Sequence, residues 1–305
     1  MPLDLPLKLQ HYILELALPS TKLFTGPERR RLLRTFSLVH SSWTPVAQRL
    51  LFQQVVVKII THVSPQRPIN ALAELMLNKV TPITRFEVDA TNCSRDDWTF
   101  LQHLWKRFPD LSNLIVYFSR FVRLPLAGDW PKSVVSFMLA TKGAKPSNAA
   151  YLELVLPASL TRLVLSTIQT RSYLPPLPNL ETLILTRTTV LPSGLKCDVL
   201  FPSLCVFAWD NVSSPPSLFV FPTFPPATKH MRLNLTKEWP LSDALELMDD
   251  LPIGLSSLDI HLVPLTLKAL PEAVKGRLSW TETTRMRFTT SDEMQEDIEL
   301  WEARL

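Results

Sequence analysis

The sequence predicts an α/β protein in which a short helical module precedes a solenoid with a curved parallel sheet. Three observations support this prediction. The first 57 residues carry short amphipathic segments with helix start signals. An apolar unit then returns every 20 to 28 residues along most of the remaining chain. A proline precedes each unit, and proline suits the start of a strand because it cannot donate to a sheet ladder.

The helical module contains two start signals. Pro6 stands where the first turn of a helix loses little by a missing N–H, and an apolar stripe at i, i+4 and i+7 follows it. Thr44 followed by Pro45 predicts another helix, with the threonine as N-cap. A Gly26-Pro27 break lies between them, so we predict three short helices. Because a unit of about 50 residues has only a small core, apolar residues that it cannot hide would need a partner. The stripe consists of Leu9, Ile13 and Leu16.

A motif runs through this module. It comprises the opening Leu5-Pro6, the spacing to Ile13, and the block from Ser37 to Phe52 around Trp43. In these residues the chain resembles the F-box family, the adaptor-docking module of cullin–RING ubiquitin ligases. The resemblance implies that residues 1–57 bind the ligase's adaptor protein and, through it, a cullin. The alternative is a plain helical cap on the following domain. The adaptor-binding residues implied are Leu5, Pro6, Leu9, Ile13, Leu38, Val39 and Trp43.

A dense basic run, Arg29-Arg30-Arg31 with Arg34, lies within the same module. Two interpretations remain open. The run is either a solvated helix face or a docking surface for an acidic patch of the adaptor.

Residues 58–290 form the predicted repeat domain. Units of the form L-x-x-L-x-L, with other apolar residues allowed, recur at a spacing typical of leucine-rich repeats. The repeat is irregular, since no unit carries the strict asparagine turn of the most regular arrays. Each unit predicts one strand of a parallel sheet stacked in chain order. The predicted strands are 84–88, 111–116, 134–139, 160–165, 180–185, 204–209, 229–233 and 255–260, and the preceding prolines are Pro82, Pro109, Pro131, Pro157, Pro178, Pro202, Pro226 and Pro252.

Other elements complete the array. An extended run at 55–60 is a candidate first strand, and helices are predicted from Ser94 to Phe108, at 70–80 and at 242–251. Ser94 is the expected N-cap of the first of these, with Asp97 three residues later. A repeat array also needs both ends covered. We expect the helical module to cover one end, and a helix at 291–305 the other, through a stripe of Met294, Ile298, Trp301 and Leu305.

The middle position of each unit should face the concave side of a curved sheet, because side chains alternate along a strand. These positions are apolar in the centre of the array and charged at its ends. Eight strands about 4.8 Å apart span roughly 34 Å, which suits a polypeptide better than a small molecule. The alternative is that a loop of the same chain covers this strip. The predicted substrate-binding residues are Arg85, Ile115, Tyr117, Met138, Arg162, Val164, Ile184 and Arg232.

Composition indicates a folded intracellular protein, cytoplasmic or nuclear. The chain has 305 residues, a net charge of +4 and no 18-residue apolar run, so we predict neither nucleic-acid nor membrane binding. We found no Gly-rich phosphate loop, G-x-S-x-G or H-E-x-x-H, and we predict no metal or cofactor. The three cysteines lack metal-ligand spacing and should be reduced. The sequence therefore predicts a non-catalytic ligase subunit that binds a protein substrate. An interaction scaffold and a hydrolase-like enzyme are the alternatives.

Overall fold

The computed structural model describes residues 6–18, 26–39, 41–58, 82–91, 93–118, 130–141, 150–152, 156–166, 168–170, 174–186, 196–210, 223–234, 251–252, 254–262, 285–290, 301–302 and 305.

The described part of the N-terminal segment forms three helices, α1 (Leu7–Ala17), α2 (Gly26–Val39) and α3 (Thr44–Phe52). Trp43 is the N-cap of α3, so the prediction of Thr44 as N-cap is wrong by one residue. The Thr44 hydroxyl instead donates to the Ser37 carbonyl at 2.8 Å, which ties α3 to α2. The three helices share a small core of buried residues: Leu14, Leu18, Leu33, Val46, Ala47 and Leu50.

Within the described residues, ten strands form one parallel sheet, whose order follows the chain. These strands are β1 (Gln54–Lys58), β2 (Arg85–Ala90), β3 (Asn113–Phe118), β4 (Ser136–Thr141), β6 (Arg162–Ser166), β8 (Thr182–Thr186), β9 (Val206–Asp210), β10 (His230–Asn234), β11 (Ser257–Leu262) and β12 (Arg285–Thr290). Two short strands, β5 (Ala150–Leu152) and β7 (Ile168–Thr170), pair separately.

The predicted parallel solenoid is confirmed. All eight predicted strands are present and begin one or two residues later than expected, and the extended run after α3 is β1. The delay has a regular cause, since the first residue of several units closes a turn before the strand starts. The Val134 N–H, for example, donates to the Pro131 carbonyl at 3.1 Å, and Leu160 bonds to Pro157 in the same way at 3.2 Å. Strands β5, β7 and β12 were not predicted from the sequence.

A second hydrogen-bond pattern joins each repeat unit, or coil, to the unit before it. Ser112 and Asn113 N–H both donate to the Thr84 carbonyl, and Thr161 and Arg162 N–H both donate to the Val135 carbonyl. Within the described residues eight carbonyls accept such a pair, from Gln53 to Lys229. Backbone groups at the strand starts are thus satisfied by the neighbouring coil, as a stacked repeat requires.

One helix packs against the first coils. It is α4 (Arg95–Trp105), and the predicted capping box is confirmed: Asp97 N–H donates to Ser94 Oγ at 3.2 Å and Ser94 N–H to the Asp97 carboxylate at 3.1 Å. A short α5 (Cys197–Leu200) lies later in the chain. The predicted helix at 70–80 lies outside the described residues, as does 242–250 of the other.

All three apolar positions of the L-x-x-L-x-L units belong to the main core on one side of the sheet, with one exception at position 228. Leu163, Leu183 and Leu258 belong to it and are buried, as predicted. Thr228 replaces an apolar residue here, and its buried hydroxyl donates to the Leu204 carbonyl at 3.1 Å. This bond explains how the unit tolerates a polar residue at a core position.

Among the described helices, none is long and apolar enough to cross a membrane.

Candidate functional site

One candidate interaction surface lies on α1 and the end of α2. The stripe predicted from the sequence does not face the module core, because Leu14 and Leu18 occupy that side of α1. Its residues instead face solvent, and Leu16 is 67% exposed. Leu38, at the end of α2, is 88% exposed. We call this set the α1–α2 apolar surface: Leu9, Tyr12, Ile13, Leu16, Leu38 and Val39.

Gln10 attaches α1 to the turn that follows α2. Its side-chain oxygen Oε1 accepts a hydrogen bond from Ser42 Oγ at 2.7 Å and another from Trp43 Nε1 at 2.9 Å. Trp43 also packs edge-on against Phe36, with ring centroids 5.8 Å apart. The turn after α2 is therefore attached to α1 at a residue adjacent to Leu9. The exposed stripe of α1 and the exposed end of α2 thus belong to helices that are joined through this turn.

The predicted adaptor-binding residues divide into three groups. Leu9, Ile13, Leu38 and Val39 are exposed, and so is Pro6. Trp43 is half-buried and supports the turn, while Leu5 lies outside the described residues. Tyr12 and Leu16 also belong to this surface, although they are not among the adaptor-binding residues predicted from the sequence. The pair Leu14 and Leu18, at i and i+4, was the signal that a different side of α1 is buried.

The basic run is divided between two environments. Arg29 is buried, and Arg30 Nη1 lies 3.5 Å from Glu87 Oε2 on β2. Arg31 and Arg34 are exposed. Of the two interpretations, docking against an acidic adaptor surface is therefore restricted to Arg31 and Arg34.

A second candidate surface is the face of the sheet opposite the main core, which we call the second face. The strand register aligns the middle residues of successive units in one row across it. The centre of this row is apolar and charged residues flank it on both sides, as the sequence indicated, while the apolar Val56 of β1 lies at one end. In strand order the row from β1 to β11 is Val56, Glu87, Ile115, Met138, Val164, Ile184, Ala208, Arg232 and Asp259.

The apolar centre of the second face is covered by the protein itself. Ile115, Met138, Val164 and Ile184 are buried and form one cluster with Trp301, which is itself 2% exposed. The prediction that this strip is open to solvent is therefore wrong. The alternative of coverage by the same chain is what the structure shows. A continuous apolar strip is unfavourable to expose, and the indole supplies matching apolar surface.

The three arginines predicted to contact a substrate contact groups of this chain instead. Arg162 donates twice to the Glu302 carboxylate, Nε to Oε1 at 2.8 Å and Nη2 to Oε2 at 2.7 Å. The buried Arg232 guanidinium lies 6.0 Å from the centroid of the Trp301 ring. Buried Arg85 lies 3.7 Å from the Glu87 carboxylate. The prediction that these three arginines are available to a substrate is therefore wrong.

Tyr117, the remaining predicted substrate residue, is half-buried and packs at the edge of the same cluster.

The predicted C-terminal cap needs a further correction. Trp301 and Glu302 are helical, as expected, but they contact the second face at β6 and β10 rather than covering the end of the array. Residues 291–300 lie outside the described part of the chain. The sequence showed the apolar stripe of this segment. Its position depends on a contact between residues 140 positions apart.

The cysteines provide no reactive thiol in the core. All three are free, and Cys93 and Cys197 are buried. Burial, and secondarily the carboxylate of Asp97 or Asp198, raises the pKa of each of these two thiols to about 12. They therefore stay protonated at neutral pH. Across the described ranges there is no group of three or more His, Cys, Asp or Glu residues that could hold a metal ion.

An open cleft of about 670 Å³ lies beside Trp130. Its polar side chains are those of Lys106, Lys132 and Ser133. Among the lining residues that lie in the described part of the chain there is no carboxylate or histidine.

Comparison with protein-family models finds no match to this sequence. Comparison with curated proteins and with solved structures finds none either.

Proposed function

We propose that this protein is a substrate-recognition subunit of a cullin–RING ubiquitin ligase. In this proposal the three helices are an F-box-like module that binds the ligase adaptor through the α1–α2 apolar surface. The repeat array, an irregular leucine-rich-repeat domain, binds a protein substrate in the cytoplasm or nucleus. One observation carries the proposal: four of the adaptor-binding positions implied by the motif are exposed apolar residues of a module that already has its own core, namely Leu9, Ile13, Leu38 and Val39.

This coincidence is informative because the module had other ways to place these residues. A helix that only covers the repeats would turn its apolar stripe towards them. Here Leu9, Ile13 and Leu16 are solvent-exposed while Leu14 and Leu18 hold the helices together. Contiguous exposed apolar patches are characteristic of protein interaction sites. An apolar adaptor groove is the partner that such a surface fits.

The connection between module and array supports a role in positioning. Helix α3 is followed by Gln53 and then directly by β1, and the Gln53 carbonyl accepts hydrogen bonds from Thr84 and Arg85 N–H. Arg30 and Glu87 form a second link between α2 and β2. A ligase subunit acts by holding its substrate close to an enzyme bound elsewhere, which raises the effective concentration. A well-fixed junction favours that function.

Affinity purification of the tagged chain from cells, followed by mass spectrometry for adaptor and cullin, tests the proposal. We expect both proteins with the parent chain and neither with Leu38→Asp. Val199 is the matched control, because it is an apolar residue on α5 that is 66% exposed. Val199→Asp should retain adaptor and cullin. Absence of both from the parent purification, or equal recovery with Leu38→Asp, would contradict the proposal.

A non-ligase interaction scaffold is the second candidate. The observation that favours it is the same junction, since Arg30 and Gln53 attach the module to the first coil as a cap would be attached. Adaptor binding separates the two candidates, because a scaffold with a capping module has no reason to bind the adaptor.

A further inference from the structure

The pair Trp301 and Glu302 binds the second face as a short peptide ligand would. The indole packs in the apolar cluster of the middle row and lies under the Arg232 guanidinium. The next side chain, Glu302, makes a two-pronged ion pair with Arg162. An aromatic residue and the acidic residue after it are thus each matched by their own partners on β6 and β10.

The chemistry of these contacts is selective. A guanidinium that donates two parallel bonds to a carboxylate fixes both position and orientation, which a single point charge does not. A cation near an aromatic ring adds attraction for a flat, electron-rich side chain. Together they favour an aromatic residue followed immediately by a carboxylate.

The surroundings of the cluster resemble an interface more than a protein core. The main core face of the sheet is apolar along its length, with Leu163 and Leu165 on β6 as an example. On the second face the apolar middle row is bordered by partly exposed polar residues, among them Asn113, Ser166, Thr182 and Thr186. An apolar centre with a polar rim is the usual anatomy of a binding surface.

We propose that the second face around Arg162 and Arg232 is a binding site for a peptide segment in which an aromatic residue is followed directly by an acidic one. Residues 301–302 are then an internal occupant that such a partner displaces. This inference rests on the proposed function only in taking that partner to be the ligase substrate. Occupancy by the chain's own residues lowers the apparent affinity for the partner, because only the open fraction binds.

The experiment measures binding of a fluorescently labelled peptide with the sequence of residues 299–305 to the full-length chain by fluorescence anisotropy. Glu302→Arg removes the ion pair and places like charges together, and Trp301→Ala removes the indole. Each variant should bind the peptide at least about 10-fold more tightly than the parent, because the site is open more often. Two control peptides should bind more weakly than this peptide. One carries alanine in place of Trp301, and the other carries glutamine in place of Glu302.

A charge reversal serves as the specificity control. Arg162→Glu combined with Glu302→Arg restores an ion pair within the chain and removes the guanidinium that the peptide carboxylate needs. This double variant should regain the thermal stability lost in Glu302→Arg and should lose peptide binding.

Two results would overturn the inference. In one, neither single variant binds the peptide more tightly than the parent while both still unfold cooperatively. In the other, both single variants lose the cooperative transition, which would make Trp301 an ordinary core residue. Neither result bears on adaptor binding, which uses α1 and α2. Equally, failure of the adaptor experiment would leave this peptide measurement unchanged.

Discussion

Gln10 accepts a hydrogen bond from the indole Nε1 of Trp43 at 2.9 Å and thereby connects α1 to the turn between α2 and α3. The two residues are 33 positions apart, and the same Gln10 oxygen also accepts from Ser42. This connection links the two helices that carry the α1–α2 apolar surface.

Gln10→Ala should therefore destabilise the module. It removes two partly buried hydrogen bonds and leaves the Trp43 N–H without this acceptor, for an expected loss of about 1–3 kcal/mol in the free energy of unfolding. Urea denaturation followed by circular dichroism measures the change. Gln10→Glu is the matched control, because it keeps an acceptor oxygen and should lose less. Equal stability of Gln10→Ala and the parent would show that this connection contributes nothing.

The repeat core provides the second prediction. Leu163→Ala, Leu183→Ala and Leu258→Ala should each lower the free energy of unfolding by about 2–5 kcal/mol, because each truncation leaves a cavity among buried neighbours. Val135→Ala is the comparison, since Val135 is among the exposed apolar residues, and it should cost less than about 1 kcal/mol. If the leucine variants match Val135→Ala, the assignment of the core face is wrong.

The third prediction concerns the covered apolar strip of the second face. Ile184 is buried against the Trp301 cluster, so Ile184→Asp would place an unpaired charge there. We expect a loss of more than about 3 kcal/mol. Thr182→Asp, two residues earlier on the same strand and face, should be tolerated because Thr182 is only half-buried. Thermal melts of both variants make the comparison. A stable, soluble Ile184→Asp protein would mean that this strip is open in solution.

The fourth prediction concerns the reactivity of the cysteines. Because the pKa of Cys93 and of Cys197 is raised to about 12, both thiols remain protonated until the pH approaches that value. At about pH 8 the native protein should therefore release at most one equivalent of thionitrobenzoate rapidly from Ellman's reagent, from the half-buried Cys205. The unfolded chain should release three. Rapid release of three equivalents from the native state would contradict the burial of these thiols.

The eight predicted strands could be identified because two local signals coincide in each unit. One is a preceding proline, and the other is the L-x-x-L-x-L spacing of apolar residues within the unit. Strand β12 lacks both signals: no proline lies just before Arg285, and Arg287 occupies the middle of a strand that alternates polar and apolar residues. It joins the sheet by pairing with β11, a contact that the local sequence does not encode.

The candidate sites differ in the same way. Exposure of Leu38 follows from its place at the end of a short helix, and the motif identified it. Burial of Val164 depends on Trp301, and the availability of Arg162 depends on Glu302. Side-chain alternation correctly placed Val164 and Arg162 on the second face. It could not show that a distant segment of the same chain occupies that face.

The most direct test of the account is the affinity of the purified chain for the purified ligase adaptor, measured by isothermal titration calorimetry. The parent should bind, Val199→Asp should bind equally, and Leu38→Asp should lose at least about 2 kcal/mol, roughly 30-fold in Kd. Both substitutions alter strongly exposed residues, so neither should change the thermal melt. A parent chain that does not bind the adaptor, or a Leu38→Asp chain that binds as the parent does, would contradict the account.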